Sequence, residues 1–284
     1  MSVVLMGFLL RHGRAARCRC RHRRSSPGSL WGPCYASVGR GKGGSVANVG
    51  GRLQCRREPP GTGGKRQRHN LRENNMAWVE TERAELVRTL READPLAPTL
   101  CEGWDVRRLL AHLVLREHAP WKIAADAVRR PKPGQEVHLG AEAAAAGTPE
   151  GYAALVDRFA AGPGRFSPYR LDAANLVEYV IHHEDIRRGD GMAAPRELPA
   201  GQQQALWKQL GLMARMGYRT SPVGVELALP GSGRRRVKNG ASSVLVSGDV
   251  VDLALHSMGR RAAANVSIEG GGEAVRMFRQ WAAR

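Results

Sequence analysis

The segment Asn175–Arg188 constrains this chain more than any other. It is apolar enough to be buried, yet it carries Glu178, His182, His183, Glu184 and Asp185. A helix turns by about 100° per residue, so Glu178, His182 and Asp185, at i, i+4 and i+7, stack on one face. Leu176, Val177, Tyr179, Val180 and Ile181 lie among them, and charges buried there without partners would be costly. The fold must therefore compensate them. A divalent metal gripped by a carboxylate and an imidazole one turn apart would do so, and so would a buried ion-pair cluster. Spacing alone admits both.

A catalytic zinc site commonly takes three protein ligands and keeps a fourth position open. Glu178 and His182 supply two, and the third should come from another helix. His112, inside the aliphatic run Leu109–Leu115, is the candidate. Taken by itself it reads as a core histidine satisfied by a backbone carbonyl. His183 is offset by about 100° from His182 and points elsewhere. Glu184 reads as an ion-pair partner of Arg187 or Arg188. Asp185 has two readings: a group holding the far nitrogen of the His182 ring, or a helix-end salt bridge to Arg188. His118, His138 and His256 have no partners at ligand spacing and read as structural or surface residues. Cys101 reads as a small buried residue, with a thiolate near a metal as the alternative.

The 284-residue chain has a formal charge of +18, but the charge is uneven. Residues 1–75 hold 16 of the 44 Lys+Arg and 2 of the 26 acids, a net +14, which leaves +4 for residues 76–284. The same stretch holds Cys18, Cys20, Cys34 and Cys55, four of the five cysteines. No second cysteine pair stands at zinc-finger spacing from Cys18 and Cys20. Residues 1–75 are therefore expected to be a basic, disordered extension outside the fold, translated from a start placed upstream of Met76. Arg72-Glu73, just before Met76, can be encoded by a purine-rich ribosome-binding sequence. The alternative is a nucleic-acid-binding arm working through phosphate contacts, although like-charge blocks are more often simply solvated. The body, with Cys101 alone, suits a reducing cytoplasm and offers no disulfide framework. No apolar run approaches the roughly 20 residues of a membrane span.

Periodicity predicts helices at about 77–93, from Asp105 through Leu115, from Thr148-Pro149 to Gly162, over the Glu178 segment to Gly189, and at about 199–217. Pro131, Pro133 and Gly134 mark a long connection. Val223–Leu229, Ser243–Val246 and Asn265–Ile268 read as short strands, and Asp249–Met258 and Glu273–Trp281 as helices. The expected architecture is a mainly helical metal-binding bundle at 76–198, its site between facing helices, followed by a small α+β domain at 199–284.

Gly103-Trp104 followed by His112-Leu113 resembles the signature of the DinB/YfiT-like metalloenzymes. Glu178, His182 and Asp185 at their spacing resemble the second signature of the branch containing mycothiol-dependent maleylpyruvate isomerase. The run from Thr81 through Thr99–Trp104 to His182–Arg188 is similar to an actinobacterial metal-binding subgroup of that branch. The resemblance covers residues 76 to about 284. It implies a four-helix DinB-like bundle with a small α+β C-terminal domain, and a metal held by His112, Glu178 and His182, with Asp185 in support. Zinc is the first expectation for two histidines and one glutamate, while iron, nickel or manganese would also accept them. In the isomerase the metal holds a mycothiol thiolate that adds to the substrate's double bond. The implied partners are thus a small-molecule substrate and a low-molecular-weight thiol. Gly259-Arg260 resembles a Gly-Arg pair of the isomerase's second domain, so Arg260 is expected to meet a substrate carboxylate. Arg261 and the run Arg234–Arg236 fit solvated surface equally well. A non-catalytic metal- or small-ligand-binding protein of the same fold is the other function class, because fold does not decide function.

Overall fold

A computed structural model describes residues 63–284, apart from 165, 166, 168, 170–173, 192, 195 and 284, with side chains from 77 onward except 174. The expectations for residues 1–62 lie outside the described residues. Helix α1 runs Gly63–Glu92. It starts well before the expected 77, so the expected boundary at residue 75 falls inside a helix.

Helix α2 (Val106–His118) starts where the sequence places it, because the Asp105 carboxylate accepts the Arg108 N–H at 2.7 Å and caps the first turn. Two short helices then occupy the stretch expected to be a long connection. These are α3 (Pro120–Arg129) and α4 (Val137–Ala145). The prolines are confined to the turn between them. That turn is pinned: a Cβ on Gly103 would come within 2.9 Å of the Pro133 backbone, and Trp104 donates to Glu136 at 3.2 Å. Asp126 on α3 accepts the N–H groups of His138 and Leu139 and so holds the start of α4. Helix α5 (Pro149–Ala160) opens on the expected Thr148 cap, whose hydroxyl accepts the Gly151 N–H. Helix α6 (Ala174–Arg187) carries the acidic and histidine segment.

Helices α1, α2, α5 and α6 form the bundle, with α4 laid against α2 and α3 against both. Leu86, Leu90, Leu109, Leu110, Leu113, Leu115, Leu176 and Tyr179 fill its centre and are fully buried. Each buried leucine contributes about 1.5–3 kcal/mol of transfer free energy; Leu113→Ala would cost about 2–5 kcal/mol once its cavity is included.

Helix α7 (Ala200–Gly217) packs on α1 and α6 and leads into a four-stranded sheet. Its strands are β1 (Gly224–Leu229), β2 (Gly233–Lys238), β3 (Ser243–Ser247) and β4 (Ser267–Gly270), in the order β2-β1-β3-β4. β1 and β3 are parallel, and the other two pairings are antiparallel. Helix α8 (Val250–Ser257) lies against α6 and α7, and α9 (Gly272–Ala282) closes the sheet beside β3 and β4. This is the expected helical bundle followed by a small α+β part. β2 was not expected, because its arginines mask the alternation that marks a strand. Among the described residues no helix is long and apolar enough to cross a membrane.

Candidate metal centre

Helices α2 and α6 face one another across the bundle. His112 on α2 meets His182 on α6 edge-on, with ring centroids 5.2 Å apart. Glu178 lies one turn before His182, its Oε2 3.5 Å from His182 Nε2. One ligand atom from each of His112, Glu178 and His182 lies within 4.8 Å of the others. The structure thus brings together the three residues that the sequence singles out. They are 2, 5 and 1 % exposed respectively.

Their hydrogen bonding is incomplete. Neither ring nitrogen of His112 has a partner, and neither does His182 Nε2, although all three atoms are buried. Buried polar atoms are nearly always bonded, and leaving one bare costs about 1–3 kcal/mol. His112 is therefore not the core histidine satisfied by a carbonyl that it could have been. Unpartnered imidazole nitrogens beside a carboxylate oxygen, drawn from two helices, are a donor set that fits a divalent cation.

The rest of the cluster orients this set. Asp185 Oδ2 lies 2.9 Å from His182 Nδ1, which leaves Nε2 for the cluster centre. Of the two readings of Asp185, the contact with the His182 ring is the one observed. Arg188 pairs instead with Glu184 and with Asp252 of α8, at 2.6 and 2.8 Å. Arg116, one turn after His112, places Nε 3.8 Å from Glu178 Oε2. It is anchored by donating to Asn175 Oδ1 at 2.6 Å and by stacking on Tyr169. The ring of Trp104 leans on His112 with centroids 5.1 Å apart. Arg116 was not singled out from the sequence, although its i+4 spacing from His112 puts it on the same face.

The electrostatics divide the two histidines. Burial and the neighbouring His182 push His112 down to about 3, so its ring is neutral and able to ligate. Burial would lower His182 too, but its contacts with Asp185, Cys101 and Glu178 outweigh this and hold it well above the usual histidine range. Burial likewise opposes ionisation of Glu178, yet Arg116 and His182 bring it down to about 2. Asp185 is held well below the usual carboxylate range; burial works against this, and Arg260 and His182 overcome it. In the metal-free protein, then, a proton on His182 balances the carboxylates. A divalent cation would displace that proton, because ligating imidazole must be neutral.

Arg260 does not face open space. Its Nε and Nη2 donate to Asp185 Oδ1 and Oδ2 at 2.8 and 2.6 Å, and Nη1 donates to the Met258 carbonyl at 2.9 Å. Cys101 Sγ lies 3.0 Å from Arg260 Nη2 and donates to Asp185 Oδ2 at 3.2 Å. Cys101 is half-buried and, with His182 and Asp185, forms a second close group of metal-type ligands. The remaining histidines lie elsewhere. His183 bonds to Glu82 and Thr89 on α1, Glu184 pairs with Arg187, Arg188 and Arg196, and His256 contacts Tyr218 at 2.6 Å.

Residues 78–168 match the family model of the mycothiol maleylpyruvate isomerase N-terminal domain. The match takes in His112 and supports the family resemblance over α1–α5; Glu178 and His182 lie beyond its end. A crystal structure of a mutant of mycothiol-dependent maleylpyruvate isomerase is similar at 18 % identity and a TM-score of 0.46, over 70 % of this chain and 92 % of that one. No curated protein matches the chain.

Proposed function

We propose that the chain binds one divalent metal ion through His112, Glu178 and His182, with Asp185 orienting His182, and acts as a thiol-dependent isomerase or transferase. One observation carries the metal reading: three buried donors from two helices converge within 4.8 Å, and the His112 and His182 nitrogens among them have no other partner. Zinc suits such a set best, with iron, nickel and manganese as alternatives. The family match over residues 78–168 supports mycothiol as the thiol and an unsaturated small molecule as the substrate. A bound divalent cation there would favour the deprotonated form of a sulfur ligand and so make it nucleophilic.

The chain's own residues have separate parts in this reading. His112, neutral through burial, and Glu178, kept ionised by Arg116, are ready to ligate without a change of protonation. His182 must release its proton. The ring of Trp104 leans on His112, and the burial of the three ligands strengthens any charge interaction inside the site. Residues 76–198 carry the site and residues 199–284 bring Arg260 against its Asp185, in a protein of the reducing cytoplasm.

A second reading, a metal- or small-ligand-binding protein without catalysis, is favoured by how closed the three ligands are to solvent. Elemental analysis of the full chain and of its His112→Ala and Glu178→Ala variants tests the ligand set. One metal per chain, lost in both variants, is the expected result; stoichiometric metal retained in both would overturn it. Metal-loaded protein that neither isomerises maleylpyruvate nor conjugates electrophiles with mycothiol present would leave the second reading standing.

A further inference from the structure

Among the described residues, Arg260 is the charged group that the C-terminal part of the chain delivers to the metal-type cluster. It comes from a turn after α8 that only glycine makes easily, since Gly259 sits at φ 94°. The turn is fixed by Arg260 N donating to the Leu255 carbonyl at 2.9 Å. Arg188, just after α6, clamps the same region by donating to Asp252 and to the Ala263 carbonyl. The guanidinium meets Asp185 in a two-pronged contact through Nε and Nη2, the geometry an arginine fork is built for. With the bonds to Met258 and Cys101, four of its five N–H groups are committed. Arg260 is 8 % exposed and Asp185 0 %. A substrate carboxylate would have to displace a buried, doubly bonded one to reach this side chain.

We infer that Arg260 is a positioning residue: by fixing both oxygens of Asp185 it orients the His182 ring, so that the C-terminal part of the chain completes a metal site whose ligands all lie in the helical bundle. The contact order is Arg260 to Asp185 to His182, and each link is within hydrogen-bond distance. Without Arg260, Asp185 would be a buried carboxylate with only the His182 ring and the Cys101 thiol to answer it. It would rotate, and the His182 ring would rotate with it. This inference rests on the metal-site reading for its affinity consequence, and on the structure alone for the orientation of His182.

Two measurements on the full chain test it. The first is Zn(II) affinity by competition with a chelator. Removing a partner that holds a ligating histidine costs about 10–100-fold in metal affinity; Arg260 acts through that partner, so Arg260→Ala should bind Zn(II) more weakly by up to about 10-fold, the lower end of that range. Arg260→Lys, which keeps the charge but loses the fork, should fall in between. The second is the ring ¹⁵N spectrum of the metal-free histidines, with His182 assigned through His182→Gln. Arg260→Ala should move the His182 resonances and leave those of His183, which is held by Glu82, in place. If Arg260→Ala does not fold, Arg260→Lys carries both comparisons. Unchanged His182 resonances in a folded variant overturn the inference, and so does unchanged Zn(II) affinity, the result expected of a substrate-binding arginine. Failure of the wild-type chain to take up Zn(II) would instead defeat the proposed function, and the ring spectra alone would then decide the role of Arg260.

Discussion

Helix α6 carries two buried clusters of carboxylate and imidazole on two of its faces, and they are built to opposite rules. On one, His183 is bonded at both nitrogens, to Glu82 and Thr89. Arg196 bridges Glu82 and Glu184, and Gln202 donates to Glu82 at 2.7 Å. On the other, His112 is bonded at neither nitrogen and His182 at only one. The composition is nearly the same and the burial equal. What separates a structural cluster from a candidate site is whether its hydrogen-bonding capacity is used up.

The largest expected effect comes from breaking the satisfied face. Glu82→Ala leaves His183, Arg196 and Gln202 without their common acceptor, and removing one partner of a buried pair costs about 3–5 kcal/mol. Urea unfolding should show that loss, while the metal bound per folded chain stays unchanged. Metal addition is the next test, because only the unsatisfied face can respond. At a free metal concentration 100 times Kd the wild type should gain about 2.7 kcal/mol, and His112→Leu should gain nothing. Smaller still is the effect of His112→Leu on the metal-free protein. It removes two unpartnered nitrogens at similar volume, so any loss of stability should be less than about 1.5 kcal/mol. A loss as large as that of Glu82→Ala would mean that His112 has a structural partner after all.

Proton linkage sharpens the same contrast. The folded-state pKa of Glu82 is lowered from 4.5 to about 2; burial opposes this, and His183 and Arg196 overcome it. Its stabilisation is therefore present above pH 4.5 and is lost as the pH falls towards 2. His182 is raised above 6.5, so in the metal-free protein its contribution is fully present below pH 6.5 and is lost as the pH rises through the folded value. Urea midpoints across pH for the wild type, Glu82→Ala and His182→Gln should show the two variants departing from the wild type at opposite ends. Departures at the same end would remove the distinction between the faces.

The unsatisfied face was largely legible in the sequence. Glu178, His182 and Asp185 share a helical phase, and His112 stands in an aliphatic run that predicts burial. The satisfied face was not. Glu82 lies 101 residues before its partner His183, and Arg196 sits in a connection whose path no local pattern reveals. The ends of α2 and α5 were legible because Asp105 and Thr148 are side-chain caps with a local mechanism. Helices α3 and α4 were not legible, because each is short, 10 and 9 residues, and Pro131, Pro133 and Gly134 between them are the stronger local signal. Arg260 was found by resemblance, but its partner was not, because the fork to Asp185 joins residues 75 apart in sequence.

Strand β2 bonds to β1 alone and so forms one border of the sheet. Its outer N–H and C=O groups are a template on which another chain could add a strand. Arg234 and Arg236 are exposed along that border, and Arg235 is turned back to stack on Trp207 of α7 and donate to its carbonyl. Two copies approaching border to border would bring like charges together and would have to strip water from both sets of arginines. The run that hid the strand from sequence reading thus also keeps the folded chain from lengthening its sheet through a neighbour.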